Sequence, residues 1–333
     1  MEEKLSTEQN KNFFQKNINI VICSIFCTAL WGSAFPCVKL GYELFNIGVD
    51  DTFSKILFAG WRFFLAGILV LLIATCMQKK FPKLKKESVK GIALLGFVET
   101  TLEYVFFYIG LSYASGFKGA ILNPTSTFMM VILAHFFYKD DRLNFRKSLG
   151  CIVGFLGIII VNLTGDIDSS FSFLGEGCLL ISALAFALGS IISKEVTKVE
   201  DNPMTVTGYQ LSIGGIILIA LGFIGGARLH VTSTSAMLLF LYLALLSSIA
   251  FSLWTTLFKY NPVSKVSIFN FLTPIFGTIL SALILSEDVF NLRNLVALIL
   301  VCLGIYIVNK PKEKETSITV SYTHLTLPTI CSV

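Results

Sequence analysis

The chain has 333 residues; 54% of them are hydrophobic, only 14% are charged, and the formal net charge is +5. A water-soluble protein of this length needs far more charge on its surface, so the composition excludes a soluble enzyme and indicates a membrane protein. No basic groove with stacking aromatic residues indicates nucleic-acid binding, and no P-loop motif for ATP hydrolysis occurs.

Ten apolar stretches follow one another along the chain, each near the twenty residues that a helix needs to cross about 30 Å of hydrocarbon. They cover residues 18–41, 54–77, 91–112, 117–138, 146–163, 174–194, 204–225, 236–257, 263–285 and 292–309. Because they lack the strict alternation of barrel strands, they predict an all-α polytopic membrane protein. The first stretch is too long for a signal peptide and is followed at once by another, so we interpret it as a retained helix.

The two halves of the chain are related by duplication. Residues 112–162 align without gaps with residues 259–309, and sixteen of the fifty-one pairs are identical, including Asn123/Asn270. Asp141/Asp288 and Gly157/Gly304 are further identical pairs. Each copy holds two apolar stretches around a short charged turn, so the chain is a duplicated membrane unit, the usual architecture of a secondary transporter.

This duplication predicts the domain organisation. A cytoplasmic segment, 1–17, precedes a first five-helix repeat, 18–163, and a second repeat, 174–310. Since five is odd, the second repeat is expected to enter the membrane from the opposite side, so that the two halves are inverted.

Lysine and arginine are distributed unequally between the two sides. With a cytoplasmic N-terminus, twenty of them lie in inner segments. The outer segments then hold Lys39, Lys55, Lys118, Arg228 and Arg293. This positive-inside bias predicts that both termini are cytoplasmic and that the chain lies in the inner (cytoplasmic) membrane.

Two features carry no functional prediction. The eight cysteines have no spacing typical of a metal site, so neither a metal nor another cofactor is expected. Residues 315–333 have neither the charge of a cytoplasmic tail nor the length of a span, and Ser321–Val333 resembles translated vector sequence. We therefore expect a disordered, non-native tail.

Short motifs carry a family resemblance. The first helix contains Trp31-Gly32-Ser33-Ala34-Phe35-Pro36, the second contains Phe58-Ala59-Gly60-Trp61-Arg62-Phe63, and each half ends in a glycine-bearing helix. In this order, and with the duplication, they resemble the drug/metabolite transporter superfamily, specifically the EamA type. The resemblance implies ten helices in two inverted repeats, a central cavity and transport of small metabolites, commonly amino acids and often outward.

Three charged residues lie deep in the predicted helices. At about 1.5 Å per residue, Glu99 and Glu103 lie about 12 and 18 Å from the inner edge, and Arg62 about 12 Å from the outer edge. Glu103 can therefore pair with Arg62 as a structural ion pair. Glu99 has no cation at its depth; we predict that it meets a substrate amino group or, because removal from water favours its protonated form, couples transport to protons. The alternative is a protonated carboxyl bonded to a neighbouring helix.

Prolines mark further candidates. Pro36, Pro124 and Pro274 each leave a carbonyl without its helical donor, which at membrane depth is tolerated beside a cavity or a polar partner. Asn123 and Asn270 occupy equivalent positions beside two of these breaks. They predict either a pseudo-twofold substrate site or hydrogen bonds between helices four and nine.

Aromatic residues complete the predicted cavity, although packing alone also explains them. The candidate cavity residues are Trp31, Ser33, Glu99, Tyr104, Phe107, Asn123, Thr127, Trp254 and Asn270. The partners expected are the lipid bilayer and a small-molecule substrate; the oligomeric state stays open.

Other functions are less well supported by the sequence. An intramembrane enzyme needs a nucleophile and a base, yet the one histidine at membrane level is His135, and a channel needs a charged ring or a filter loop. A nucleotide-sugar carrier of the same superfamily would need more cations facing its cavity. We therefore predict a secondary transporter, not an enzyme, that exports an amino acid or a similar metabolite by alternating access.

Overall fold

The computed structural model describes residues 13–114, 119, 121–162, 171–285 and 292–310. The non-native tail predicted at 315–333, Lys118 and Asp288 lie outside these residues. Within the described part the fold is all-α. We number its main helices α1 Asn17–Leu44, α2 Thr52–Gln78, α3 Lys86–Tyr113, α4 Thr125–Phe137, α5 Phe145–Asn162, α6 Phe173–Val199, α7 Pro203–Ile224, α8 Thr234–Tyr260, α9 Val263–Leu285 and α10 Leu292–Asn309.

Each predicted span coincides in large part with one of these helices. By length and composition, seven described helices can cross a membrane: α1, α2, α3, α6, α7, α8 and α9. The other three are shorter, with 13 residues in α4 and 18 each in α5 and α10. The all-α polytopic fold is confirmed, and the crossing of the membrane by all ten helices stays a prediction.

The helix contacts follow the duplication: replacing each helix of a contact by its counterpart in the other half gives another observed contact. Helix α2 packs on its own counterpart α7, and α5 packs on its counterpart α10. Helix α1 packs on α8 and α9, and its counterpart α6 packs on α3 and α4. Two halves related by a pseudo-twofold axis produce this pattern, as the duplication predicts, and the inversion of the second half stays a prediction.

Glycines bring the equivalent helices into backbone contact. A Cβ added to Gly304 of α10 would lie 2.6 Å from the carbonyl oxygen of Gly150 in α5. A Cβ added to Gly67 of α2 would lie 2.6 Å from the carbonyl oxygen of Gly208 in α7. Lipid tails are as apolar as leucine, so close backbone packing of small residues, rather than the hydrophobic effect, holds such crossings together.

One face of the molecule carries the loops 79–85, 138–144 and 200–202, and we call it the lysine-rich face. Asp141 is 1% exposed there, although it lies in a loop. Its carboxylate accepts the backbone N–H of Ser264 at 2.9 Å and the Ser264 hydroxyl, and it pairs with Lys147 at 2.5 Å. Since Ser264 lies in the first turn of α9, a carboxylate of the first half caps a helix of the second half.

A second polar contact on this face is much more exposed. Lys85, before α3, pairs with Asp201, after α6, at 2.6 Å. Glu200 beside it accepts the Ser88 hydroxyl at 2.8 Å and the Lys85 backbone N–H at 3.2 Å. The hydrogen bond from Lys85 lowers the pKa of the Asp201 carboxyl.

This lowered pKa gives a pH prediction. A carboxyl whose pKa is lower in the folded state adds stability above its unfolded pKa and loses that contribution as the pH falls through the folded value. We expect Asp201→Asn to lower the melting temperature slightly at pH 7, because the pair is exposed. The difference from wild type should shrink as the pH falls below the unfolded aspartate pKa of about 3.9 and through the lower folded pKa. Thermal unfolding in detergent at pH 7 and across this acid range measures it, and a difference independent of pH would contradict it.

Candidate functional site

Helix α3 changes its winding at the level of the predicted site. It runs as an α-helix over Lys86–Leu95, as a π-helix over Gly96–Leu102 and as an α-helix again over Glu103–Tyr113. The Glu103 N–H donates to the carbonyl of Val98, five residues back. Such π-helical turns occur frequently at functional sites, and this one contains the first of the two deep glutamates.

Glu99 is buried against a glycine of α6. Its side chain is 3% exposed, and its Oε2 atom has no hydrogen-bond partner. A Cβ added to Gly189 would lie 2.5 Å from the Glu99 Cβ, so only glycine at 189 leaves room for the carboxyl. The neighbouring Thr100 hydroxyl donates to Gln210 Oε1 at 2.8 Å, which fixes α3 on α7 beside Glu99.

Arg62 and Glu103 lie at the same level. Arg62 follows Thr52 by ten residues and Glu103 precedes Tyr113 by ten, about 15 Å in each case. The hydroxyls of Thr52 and Ser112 are 2.8 Å apart, so these ends of α2 and α3 meet at one face. The equal depth inferred from the sequence therefore agrees with the arrangement of the two helices.

The predicted Arg62–Glu103 ion pair is not formed within the described residues. Arg62 is 4% exposed, and neither its Nε atom nor Glu103 Oε2 has a hydrogen-bond partner. The charges still interact, because Arg62 acts electrostatically on Glu103 and on Tyr104. The guanidinium carbon lies 5.8 Å from the Tyr104 ring centroid and 4.3 Å from that of Phe63.

Aromatic rings connect these charges to the centre of the molecule. The Phe63 and Tyr104 centroids are 4.4 Å apart, and Phe63 lies 6.0 Å from Phe251. Phe251 lies 5.6 Å from Trp31, which in turn lies 5.0 Å from Trp254. Trp254 is 1% exposed and its indole N–H has no partner. These rings form a continuous aromatic row between the two halves.

Phe107 and Phe186 extend this aromatic row. Phe107 lies 6.3 Å from Tyr104, and Phe186 lies 6.1 Å from Trp31. Four of the aromatic residues predicted for the cavity, Trp31, Tyr104, Phe107 and Trp254, are thus joined by ring contacts. The substrate contacts proposed for them stay a prediction.

Asn270 and Thr127, two of the predicted cavity residues, lie at the crossing of α4 and α9. Asn270 Nδ2 donates to Ser126 Oγ at 3.4 Å, and the Thr127 hydroxyl donates to the Ser267 carbonyl at 3.5 Å. Thr273 donates to Asn270 Oδ1 at 3.2 Å. These hydrogen bonds correspond to the second of the two alternatives, contacts between helices four and nine.

Pro124 and Pro274 lie where a helix begins or changes its winding, whereas the break predicted at Pro36 is wrong, because α1 continues through it. Pro124 precedes the first residue of α4, while Asn123 lies in the turn before it. Helix α9 narrows to a 3-10 turn at Ile268–Phe271 just before Pro274, which cannot donate to the Asn270 carbonyl. The breaks in α4 and α9 therefore lie at equivalent points of the two halves.

Pro36 and Ser33 lie on α1 but outside the aromatic row. Pro36 is buried one turn after Gly32, where a Cβ would lie 2.5 Å from the Phe276 Cβ of α9. The Ser33 hydroxyl donates to the Leu30 carbonyl at 2.7 Å and lies 2.7 Å from the Tyr242 hydroxyl. Ser33 thus contacts Tyr242 of α8 and not a ring of the aromatic row.

Sequence reasoning missed several residues of the site. Phe251 precedes Trp254 by three residues on the same helical face, so helical spacing was a usable signal for it. Phe63 follows Arg62 directly, and adjacent helical positions give no such signal. Phe186 and Gln210 had no such signal, because apolar and amide residues are common in packed helices. Within the described residues no three His, Cys, Asp or Glu side chains group as metal ligands would.

Comparison with known proteins identifies the family of this chain. Residues 19–163 and 173–310 match the EamA-like transporter family. These segments contain Arg62, Glu99, Glu103 and the aromatic row. The chain belongs to the EamA-like transporter family.

Relatives of this EamA-family chain include a plant protein and bacterial proteins named as uncharacterized transporters. A chloroplastic WAT1-related protein of Arabidopsis thaliana is 26% identical over 86% of this chain and 68% of its own length. The uncharacterized transporter YoaV of Bacillus subtilis is 24% identical over 87% of this chain and 96% of its own length. The uncharacterized transporter YyaM of the same organism is 26% identical over 91% and 99%.

A solved crystal structure shares the fold of this EamA-family chain. It superposes with a TM-score of 0.69 and covers 88% of this chain and 98% of the other, at 17% sequence identity. The chain is therefore a multi-pass membrane protein of the EamA fold, with relatives named as transporters.

Proposed function

We propose that this EamA-family protein is a secondary active transporter that exports a small metabolite, an amino acid or a related solute, by alternating access. The proposal places it in the cytoplasmic membrane with both termini inside, in line with the lysine-rich face. The observation that carries it is the buried group Arg62, Glu99 and Glu103, midway along α2 and α3. Charged side chains are costly at that depth, and they mark substrate or ion pathways.

The aromatic row supports a small organic solute as substrate. Trp31 of the first half contacts three rings of the second half, Phe186, Phe251 and Trp254. Sites for small organic ligands combine apolar and aromatic walls with a few polar groups. A solute with an amino group and an apolar portion fits a carboxyl at Glu99 beside such rings.

Alternating access is supported by the helix contacts, because each contact has an equivalent contact between the counterpart helices. Helices α4 and α9 cross at their breaks. The lysine-rich face is closed by contacts between the halves, such as Asp141 with Ser264 and Lys85 with Asp201 at 2.6 Å. In inverted repeats, opening one face while closing the other requires only that the two halves exchange conformations.

Transport by reconstituted protein tests this proposal. We expect purified protein in liposomes to move at least one amino acid or amine faster than protein-free liposomes, and a pH gradient to change the rate. Radiolabelled basic, neutral and acidic amino acids, with and without the gradient, form the panel. Equal fluxes with and without protein for every solute would contradict the function.

A nucleotide-sugar or other metabolite exchanger of the same superfamily is the second candidate. It would bind phosphate through cations, but the described groups at membrane depth are two carboxyls and one guanidinium. An intramembrane enzyme is less well supported, because His135, at the end of α4, accepts the Leu143 backbone N–H at 3.1 Å and is partly exposed.

A further inference from the structure

The charges inside the membrane helices do not balance. In the described helices, the charged residues more than nine positions from either helix end are Arg62, Glu99 and Glu103. With all three ionised, the group carries one excess negative charge. Buried charge without compensation is strongly unfavourable, so the group requires one further positive charge.

The surroundings do not supply that charge. Helix α6 places Gly189 against Glu99, and α7 has no Asp, Glu, Lys or Arg along its length. The other titratable groups that interact with the three are tyrosines: Tyr42 of α1 acts with Arg62, and Tyr104 and Tyr108 of α3 lie beside them. Tyrosine is neutral at physiological pH, so the compensating charge comes from solution.

Three buried polar atoms remain for a ligand. Arg62 Nε, Glu99 Oε2 and Glu103 Oε2 have no hydrogen-bond partner, and Glu99 acts electrostatically on Glu103. The partly exposed ring of Tyr104 lies beside the group, 5.8 Å from the Arg62 guanidinium carbon. Carboxyl oxygens beside exposed aromatic faces are the surroundings that organic ammonium groups prefer.

We infer that Arg62, Glu99 and Glu103 form a single exchange site that holds either one proton or one organic cation of net charge +1. This inference rests on the proposed transport function and names its substrate class: an amine, or an amino acid with a basic side chain. An amino acid with a neutral side chain brings both an ammonium and a carboxylate, so the site would keep its excess negative charge.

The exchange balances in protons and charge. In the empty protein one carboxyl carries the proton and the other balances Arg62. When the cation binds, the proton leaves to water and the ammonium takes its place, so the buried charge stays zero. One face therefore releases the cation and takes up one proton, and the other face does the reverse.

Proton release measures this exchange directly. Wild-type protein in weakly buffered detergent solution with a pH-indicator dye should release about one proton for each arginine, lysine or tyramine bound. The dissociation constant of each should rise about tenfold for each pH unit of acidification while the site is protonated. Leucine, a net-neutral amino acid, should release none.

Variants assign the effect to the site. Glu99→Gln and Glu103→Gln each leave one carboxyl to balance Arg62, so both should lose the proton release and weaken cation binding more than tenfold. The matched control is Glu195→Gln on the exposed surface of α6, which should behave as wild type. If a glutamine variant does not fold, as judged by size-exclusion chromatography, the pH dependence of wild-type binding decides.

The outcomes separate the inference from the proposed function. Transport of leucine or glutamate without proton release would overturn the exchange site while leaving the transporter intact. Cation binding independent of pH would overturn it too. Absence of transport for every solute in liposomes would remove the function itself.

Discussion

Replacing Asp141 by alanine is expected to lower the free energy of unfolding by roughly 3–5 kcal/mol, the usual cost of breaking a buried charge pair. The substitution leaves the Lys147 ammonium without its carboxylate and the Ser264 N–H without its acceptor. Asp141 is 1% exposed, so water does not replace the lost contacts without rearrangement. Thermal unfolding in detergent, followed by circular dichroism, measures the change.

A matched control for Asp141 is the exposed pair Lys198–Glu195 on α6. It has a similar distance, 2.5 Å, but the side chains are 56% and 46% exposed. Glu195→Ala should therefore change stability by less than about 1 kcal/mol. Equal effects of the two substitutions would show that the buried position of Asp141 does not matter.

Replacing Gly304 by alanine is expected to destabilise the protein by about 1–3 kcal/mol, because it overpacks the α5–α10 crossing. The new Cβ would lie 2.6 Å from the Gly150 carbonyl oxygen and 2.7 Å from the Gly154 backbone nitrogen. Backbone atoms cannot swing away as a flexible side chain can, so the two helices must separate. This cost exceeds the roughly 1 kcal/mol that alanine normally gains over glycine in a helix.

Gly48 provides the matched substitution for Gly304. A Cβ there meets nothing closer than the Asp51 Cβ at 3.9 Å, so Gly48→Ala should change stability by no more than about 0.5 kcal/mol. The same unfolding measurement applies to both variants. A Gly304→Ala protein as stable as Gly48→Ala would contradict the close backbone crossing.

The helices and the family could be predicted because their signals are local or repeated. Apolar runs of membrane length fix the helix positions, and the ungapped match of residues 112–162 to 259–309 indicated the duplication. The family resemblance, carried by motifs such as Trp31 to Pro36, is confirmed. These features depend on composition and spacing along the chain, which a sequence shows directly.

The details of the site could not be predicted, because they depend on contacts across the chain. The π-helical segment Gly96–Leu102 contains no proline or other local sign of altered winding. The cap from Asp141 to Ser264 joins residues 123 positions apart. Arg62 and Glu103 were placed at one depth by counting residues, but the separation of their side chains depends on how α2 and α3 pack.

The contact of α2 with α7 and of α5 with α10 bears on how the halves stay together. Each seam joins a helix to its own duplicate, through glycines whose backbones touch. Two separate five-helix chains, inserted in opposite orientations, would present the same complementary seams to each other. These self-matching surfaces therefore contribute to the cohesion between the halves independently of the peptide link from α5 to α6.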